Sequence, residues 1–138
     1  MENQDIRWKQ RFSNFSRAFL LLREAFEMDY ETMDAMHKES FVQRFEFSFE
    51  LAWKTLKDVM EYDGIIFEKI SPRFIIRDAF QSKYIDNPEI WINMVDDRNL
   101  MSHTYNFDNF EKVLQSVRET YFEELDKFYF ALLQRLSK

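Results

Sequence analysis

The sequence predicts an all-α protein, an antiparallel up-and-down bundle of four or five helices. Three observations lead there. The 138 residues include one Gly and two Pro, too few for the tight hairpins of an all-β fold. Charged residues make up 32% and hydrophobic ones 46%, a mixture that suits amphipathic helices and excludes a disordered chain. Large apolar side chains recur at alternating intervals of about three and four residues, the period of one helix face. The length suits a single domain, residues 1–138, able to bury one core without disulfides or a structural metal.

The first helix covers about 2–28. Trp8, Phe12, Phe15, Phe19, Leu22 and Phe26 form its apolar stripe, and Arg7, Lys9, Arg11, Arg17 and Arg23 read as a solvated basic face. From Asp29 to Lys38 the period fades, so a connection with one loose turn is expected. A second long helix covers about 39–62, with Phe45, Phe49, Ala52, Trp53, Leu56, Val59 and Met60 inward. Asp63-Gly64 ends it, with Gly64 as a left-handed cap. An extended piece follows at 65–70. Ser71-Pro72 reads as an N-cap and first helical residue, opening a short helix that carries Phe74, Ile75, Ala79 and Phe80. Asn87-Pro88 repeats the signal for a second short helix with Trp91, Met94, Val95 and Leu100. The stretch 102–106, Ser-His-Thr-Tyr-Asn, is poor in helix formers and is expected to break the chain. Asp108 and Glu111 resemble a capping box. The last long helix runs from there to about 136, with Phe110, Leu114, Val117, Tyr121, Leu125, Phe128 and Leu132 on one face. Each stripe must be buried against others, and an antiparallel bundle does this economically. Sixteen Phe, six Tyr and three Trp exceed what one small bundle hides, so a homodimer face is expected.

The same composition narrows the chemistry. With no Cys there is no thiol nucleophile, zinc ribbon or iron–sulfur site. A single Gly excludes a Walker P-loop and a dinucleotide-binding turn. The Gly-Ser turn and paired aspartates of a minimal nucleotidyltransferase are missing. Two His, at 37 and 103, argue against a multi-His metal site, and no cofactor is expected. No apolar run approaches the ~20 residues of a membrane span, and the N-terminus has no apolar signal region. The chain therefore reads as soluble and cytoplasmic. Its formal charge of -6 weighs against a broad nucleic-acid footprint, though not against gripping a few phosphates at one place.

One stretch concentrates chemistry-bearing residues: Asp96-Asp97-Arg98-Asn99-Leu100-Met101-Ser102-His103-Thr104-Tyr105. His is the usual acid or base at neutral pH, and Arg is the planar, permanently charged donor suited to phosphate oxygens. Together they could run a metal-free attack of an RNA 2′-hydroxyl on the adjacent phosphate. His103 would move the proton and Arg98 would stabilise the phosphorane charge. Asn99, Ser102 and Asp97 would support them. The same residues also fit a capped helix end with a structural His. Five residues on an ideal helix stand about 140° apart. Arg98 and His103 can thus converge only if the helix ends between them or if a two-fold axis pairs two chains. Glu46, Glu50 and Lys54 read as a solvated face with one i,i+4 ion pair, with a polar groove as the alternative. His37 reads as exposed. Asp86, Glu89, Asp96 and Asp97 are a weak metal candidate, because adjacent helical residues do not share a face.

These residues resemble a known family. Arg98-Asn99-x-x-Ser102-His103-Thr104-Tyr105 is similar to the R-x4-H-x-Y motif of HEPN-domain proteins. More narrowly, it resembles the nucleotidyltransferase substrate-binding proteins related to the HepT toxins of HepT/MntA-type toxin–antitoxin pairs. Phe45-Glu46-Phe47-Ser48-Phe49-Glu50-Leu51-Ala52-Trp53-Lys54 resembles that family's second-helix signature, and Ser71-Pro72, Ala79-Phe80, Ile85-Asp86 and Trp91 fall where its pattern places them. The family's frequent Gly after the Ala-Phe helix is replaced by Gln81-Ser82-Lys83-Tyr84. The resemblance implies a HEPN-like bundle that dimerises and partners a separately encoded minimal nucleotidyltransferase. In the toxin branch it implies a metal-independent ribonuclease with Arg98 and His103 catalytic, RNA as substrate, and Tyr105 as the residue that receives AMP from the antitoxin. The alternative it leaves open is a non-catalytic subunit that binds a nucleotide or substrate for a two-component nucleotidyltransferase.

Overall fold

The computed structural model describes the backbone of residues 2–103 and 106–138, and the side chains of residues 3–102 and 106–138. Helix α1 is Glu2–Glu27, followed by a 3-10 turn at Tyr30–Thr32 and by α2, Ala35–Tyr62. Helix α3 is Pro72–Gln81 and α4 is Pro88–His103. Helix α5, Phe107–Ser116, passes through a π turn, Val117–Tyr121, directly into α6, Phe122–Leu136. Because α5 and α6 form one rod, the architecture is an all-α bundle of five rods, with no strand among the described residues. None of the described helices is long and apolar enough to cross a membrane.

The apolar stripes meet as their spacing requires. Trp8, Phe12, Phe15, Phe19 and Leu22 of α1 are buried, as are Phe45, Phe49, Ala52, Trp53, Leu56, Val59 and Met60 of α2. Helices α1 and α2 form the most extensive pairing, and the α5–α6 rod closes over them. Rings carry much of that closure. Phe19 stacks on Phe122 at 5.2 Å between centroids, and Phe15 meets Phe128 edge-on at 5.6 Å. Such pairs add about 0.5–1.5 kcal/mol each beyond the area they bury. Phe26 is only partly covered, yet its ring lies flat on Phe122 at 4.0 Å.

Several boundaries differ from the sequence expectation, each for a local reason. Helix α2 starts at Ala35, not 39, because the Asp34 carboxylate accepts the His37 backbone N–H at 2.9 Å and so caps an earlier turn. Gly64 does end α2, at φ +96: its N–H reaches the Glu61 carbonyl, and Ile65 N–H reaches that of Met60, both at 3.0 Å. That is the paired-bond C-terminal cap. Helix α3 ends the same way on a residue that is not Gly. Lys83 stands at φ 67, its N–H on the Phe80 carbonyl at 3.1 Å and that of Tyr84 on Ala79 at 2.8 Å. Ser71 has the extended backbone of an N-cap, but its side chain makes no capping bond. In α3 it is Ile76 that faces the core while Phe80 is about half exposed.

Helix α4 continues through Ser102 and His103, later than the expected break. Asn106, not Asp108, caps α5: its side-chain oxygen accepts the N–H groups of Asp108 and Asn109 at 2.9 and 3.3 Å. The basic face of α1 is not wholly solvated. Arg11 donates to the buried Asp58 carboxylate at 3.0 Å, and Arg23 pairs with Asp126 while lying over the rings of Phe19 and Phe122. These contacts tie α1 to α2 and to α6.

A candidate anion-binding groove at Arg98

Burying Phe45, Phe49 and Ala52 turns the next face of α2 outward. Gln43, Glu46, Phe47 and Glu50 lie on that face, at helical spacing. Burying Met94 and Val95 likewise turns Arg98, Asn99 and Ser102 of α4 toward it. These seven residues line an open groove of about 720 Å³.

Arg98 is the groove's cation, and it is largely covered. One guanidinium nitrogen is ion-paired with Glu50, and another donates to the Asn99 side-chain oxygen at 3.1 Å. The guanidinium carbon sits 5.8 Å from the centroid of the Phe49 ring. Glu50 has further partners of its own: Lys54 Nζ at 3.0 Å and the Trp53 indole N–H at 3.2 Å. Burial works to raise the Glu50 pKa, but the bonds from Lys54 and Trp53 and the charge of Arg98 outweigh it and hold the carboxyl below its ordinary value. Glu46 responds the other way. Burial raises its pKa, and Arg98 offsets only part of the rise. The groove thus sets two carboxylates against one guanidinium. Ser102 donates its hydroxyl back to the Arg98 carbonyl at 3.1 Å, a local bond within the helix that occupies the hydroxyl proton.

The structure brings Arg98, Asn99 and Ser102 together. It places Asp97 elsewhere: that carboxylate accepts the Tyr121 hydroxyl from the π turn. Burial raises the Asp97 pKa, Tyr121's hydrogen bond opposes this and Asp96 adds to it. Burial and the Asp97 carboxylate push the Tyr121 phenol far above its usual range. The His103 side chain and all of Tyr105 lie outside the described residues. Because α4 is continuous through His103, the helix does not end between Arg98 and His103, and the two positions stand about 140° apart around its axis.

Three of the remaining candidates, His37, Asp96 and Asp86, are engaged outside the groove. His37 Nδ1 stands 2.7 Å from Asp34, with its side chain exposed. Asp96 pairs with Arg73, and Asp86 with Lys127 at 2.7 Å. Among the described residues no group of three or more His, Asp or Glu could hold a metal. Buried Glu124 takes the Trp91 indole N–H and the Asn87 amide, each at 3.1 Å. Sequence reasoning favoured a solvated face for Glu46 and Glu50, whereas they form one wall of the groove. It missed Gln43 and Phe47. Phe47 did leave a signal: a large apolar residue off the buried stripe of α2, here 68% exposed.

Comparison with known proteins bears on this geometry. A family model described as nucleotidyltransferase substrate binding protein like matches residues 10–134. A stretch of 67 residues is 34% identical to the probable ribonuclease HepT of Haemophilus influenzae, covering 46% of each protein, so the chain spans about half the length of this relative. The fold is similar to that of a crystal structure of a Thermus thermophilus protein, with a TM-score of 0.70 and 27% identity. That likeness covers 90% of this chain and 99% of the other.

Proposed function

The chain belongs to the nucleotidyltransferase substrate binding protein like family, of the HepT-like, HEPN type, and from that membership we propose that it is a metal-independent ribonuclease toxin controlled by a separate minimal nucleotidyltransferase. The observation that carries the reading is Arg98, a largely covered guanidinium held in a groove wide enough for a nucleotide. RNA is the substrate. The 2′-oxygen attacks the adjacent phosphorus and gives its proton to a base, the P–O5′ bond breaks, and the 5′-oxygen takes a proton as it leaves. Arg98 meets the charge on the phosphorane oxygens, and His103 carries the proton. Asn99 keeps the guanidinium plane oriented.

The continuous α4 bears on how Arg98 and His103 meet. With the two positions about 140° apart on one helix, a homodimer supplies the convergence, the Arg98 of one copy facing the His103 of the other. Control follows from Tyr105. Its hydroxyl gives up its proton to solvent and attacks the α-phosphorus of ATP held by the nucleotidyltransferase, pyrophosphate leaves, and the attached AMP brings bulk and negative charge to the motif, opposing an RNA phosphate at Arg98.

The test is expression without the nucleotidyltransferase, comparing wild type with Arg98→Ala and His103→Ala. Wild type is expected to cleave RNA and slow growth, and each variant to lose both effects. Absence of cleavage by purified wild-type dimer would overturn the ribonuclease reading. Intact-mass analysis after incubation with the nucleotidyltransferase and ATP should show one AMP per chain, lost in Tyr105→Phe. One observation favours the second reading, a non-catalytic nucleotide-binding subunit: Arg98 is already neutralised by Glu50 beside a second carboxylate, Glu46. Under that reading, nucleotide binding survives in His103→Ala and no variant alters RNA.

A further inference from the structure

Among the described residues that line the groove, Arg98 is the one cation, and Glu50 holds it. Glu50 holds Arg98 through one carboxylate oxygen, Oε2, which also accepts the Trp53 indole N–H at 3.2 Å, while Oε1 faces Lys54 at 3.0 Å. Glu50 is therefore not dependent on Arg98. If the guanidinium turned away, Lys54 and Trp53 would still satisfy the carboxylate. Arg98 is equally provided for, since Asn99 and the Phe49 ring steady it from other directions. The ion pair has a stable residence for each partner on either side of its breaking, the structural requirement for an exchangeable contact.

We propose that Glu50 is a built-in stand-in for the ligand's phosphate: it occupies Arg98, and a nucleotide or RNA phosphate binds by taking the guanidinium from it, while Lys54 and Trp53 keep the carboxylate they already hold. The inference rests on the reading of the groove as a phosphate site. It gives the acidic wall a function, because exchanging one anion for another at Arg98 yields little net electrostatic gain. A lone phosphate then binds weakly. A ligand that adds contacts along the groove, such as a base against the exposed Phe47 ring, is retained. Selection against free phosphate follows from the competition, with no added barrier.

The experiment is calorimetric titration of the full chain with 5′-AMP and with a short single-stranded RNA. It uses wild type, Glu50→Gln, Glu50→Ala, Glu46→Gln, Arg98→Ala and the Glu50→Gln/Arg98→Ala pair. Glu50→Gln keeps the shape and the indole bond while removing the competing charge, and is expected to tighten both ligands about tenfold. Glu46→Gln removes the same charge from the groove without touching the ion pair, and is expected to tighten them by no more than about twofold. The gain from Glu50→Gln should vanish when Arg98 is absent. Glu50→Ala, which cannot hold Arg98 at all, should tighten binding as well if competition is the role. Weaker binding in both Glu50 variants, with wild-type binding dependent on Arg98, would mean that Glu50 positions the guanidinium and would overturn displacement alone. Equal gains from Glu46→Gln and Glu50→Gln would overturn it too, reducing the effect to general charge. Wild-type binding that is indifferent to Arg98→Ala would overturn the phosphate reading together with the inference.

Discussion

Lys83 stands where the backbone asks for Gly. At φ 67 its Cβ crowds the following carbonyl, a cost of about 1–2 kcal/mol for an L-residue, and the cap of α3 still requires that conformation. Lys83→Gly is expected to stabilise the fold by about 0.5–1 kcal/mol, the gain being trimmed by Gly's larger freedom in the unfolded chain. Urea unfolding checks it. Glu46 offers a second test. Burial raises its pKa, so the folded state disfavours the charged form. That penalty is fully present above the folded pKa and gone below the unfolded one. Glu46→Gln should therefore raise the melting temperature at pH 7, and the gain should fade as the pH falls through the acidic carboxylate range. Residues of this kind were partly legible. The chemistry of Arg98 was readable from its type and neighbours, but its pairing with Glu50, 48 positions away in the chain, depends on how two helices dock. The absence of the family's usual Gly was visible too, yet only the backbone shows that Lys83 takes up the left-handed turn itself.

At the level of elements, periodicity carried most of the information. All seven named positions of the last helix, from Phe110 to Leu132, are buried, because a helix with one apolar stripe has one way to hide it. Ends were harder. Asp34 and Asn106 cap α2 and α5, while sequence reading began those helices at 39 and 108. Several Asp, Asn and Ser residues could cap, and the backbone N–H groups decide among them. Asn106→Ala should cost about 1 kcal/mol, and Asp108→Ala much less, measured by chemical denaturation. The π turn at Val117–Tyr121 had no sequence signature. Its extra residue per turn lets the adjacent Tyr121 and Phe122 both lie buried, and from there Tyr121 reaches Asp97. Tyr121→Phe is expected to cost about 1–3 kcal/mol, since the half-buried Asp97 carboxylate loses its donor. A conservative change that left the denaturation midpoint unmoved would show the Tyr121 hydroxyl bond to be dispensable.

Over the whole molecule, the stripes converge on one continuous core that joins α1, α2, α3, α4 and the α5–α6 rod. Phe15, fully buried between Phe12, Phe19 and Phe128, is its test case. Phe15→Ala should cost about 3–5 kcal/mol and lower the single unfolding midpoint without splitting the transition. The fold class was legible because it follows from the one-dimensional period, whereas the groove takes its lining from two of those rods, α2 and α4, and so depends on how they dock. The three tryptophans have their own distribution. Trp91 is enclosed in the core and Trp8 lies beneath Arg135 at the N-terminal end of α1. Trp53 is bonded to the carboxylate that holds Arg98. An indole's emission colour shifts with the charge beside its nitrogen. The protein thus carries an optical gauge bonded to one wall of its own groove, through which an unlabelled sample can be read in light rather than in heat or product.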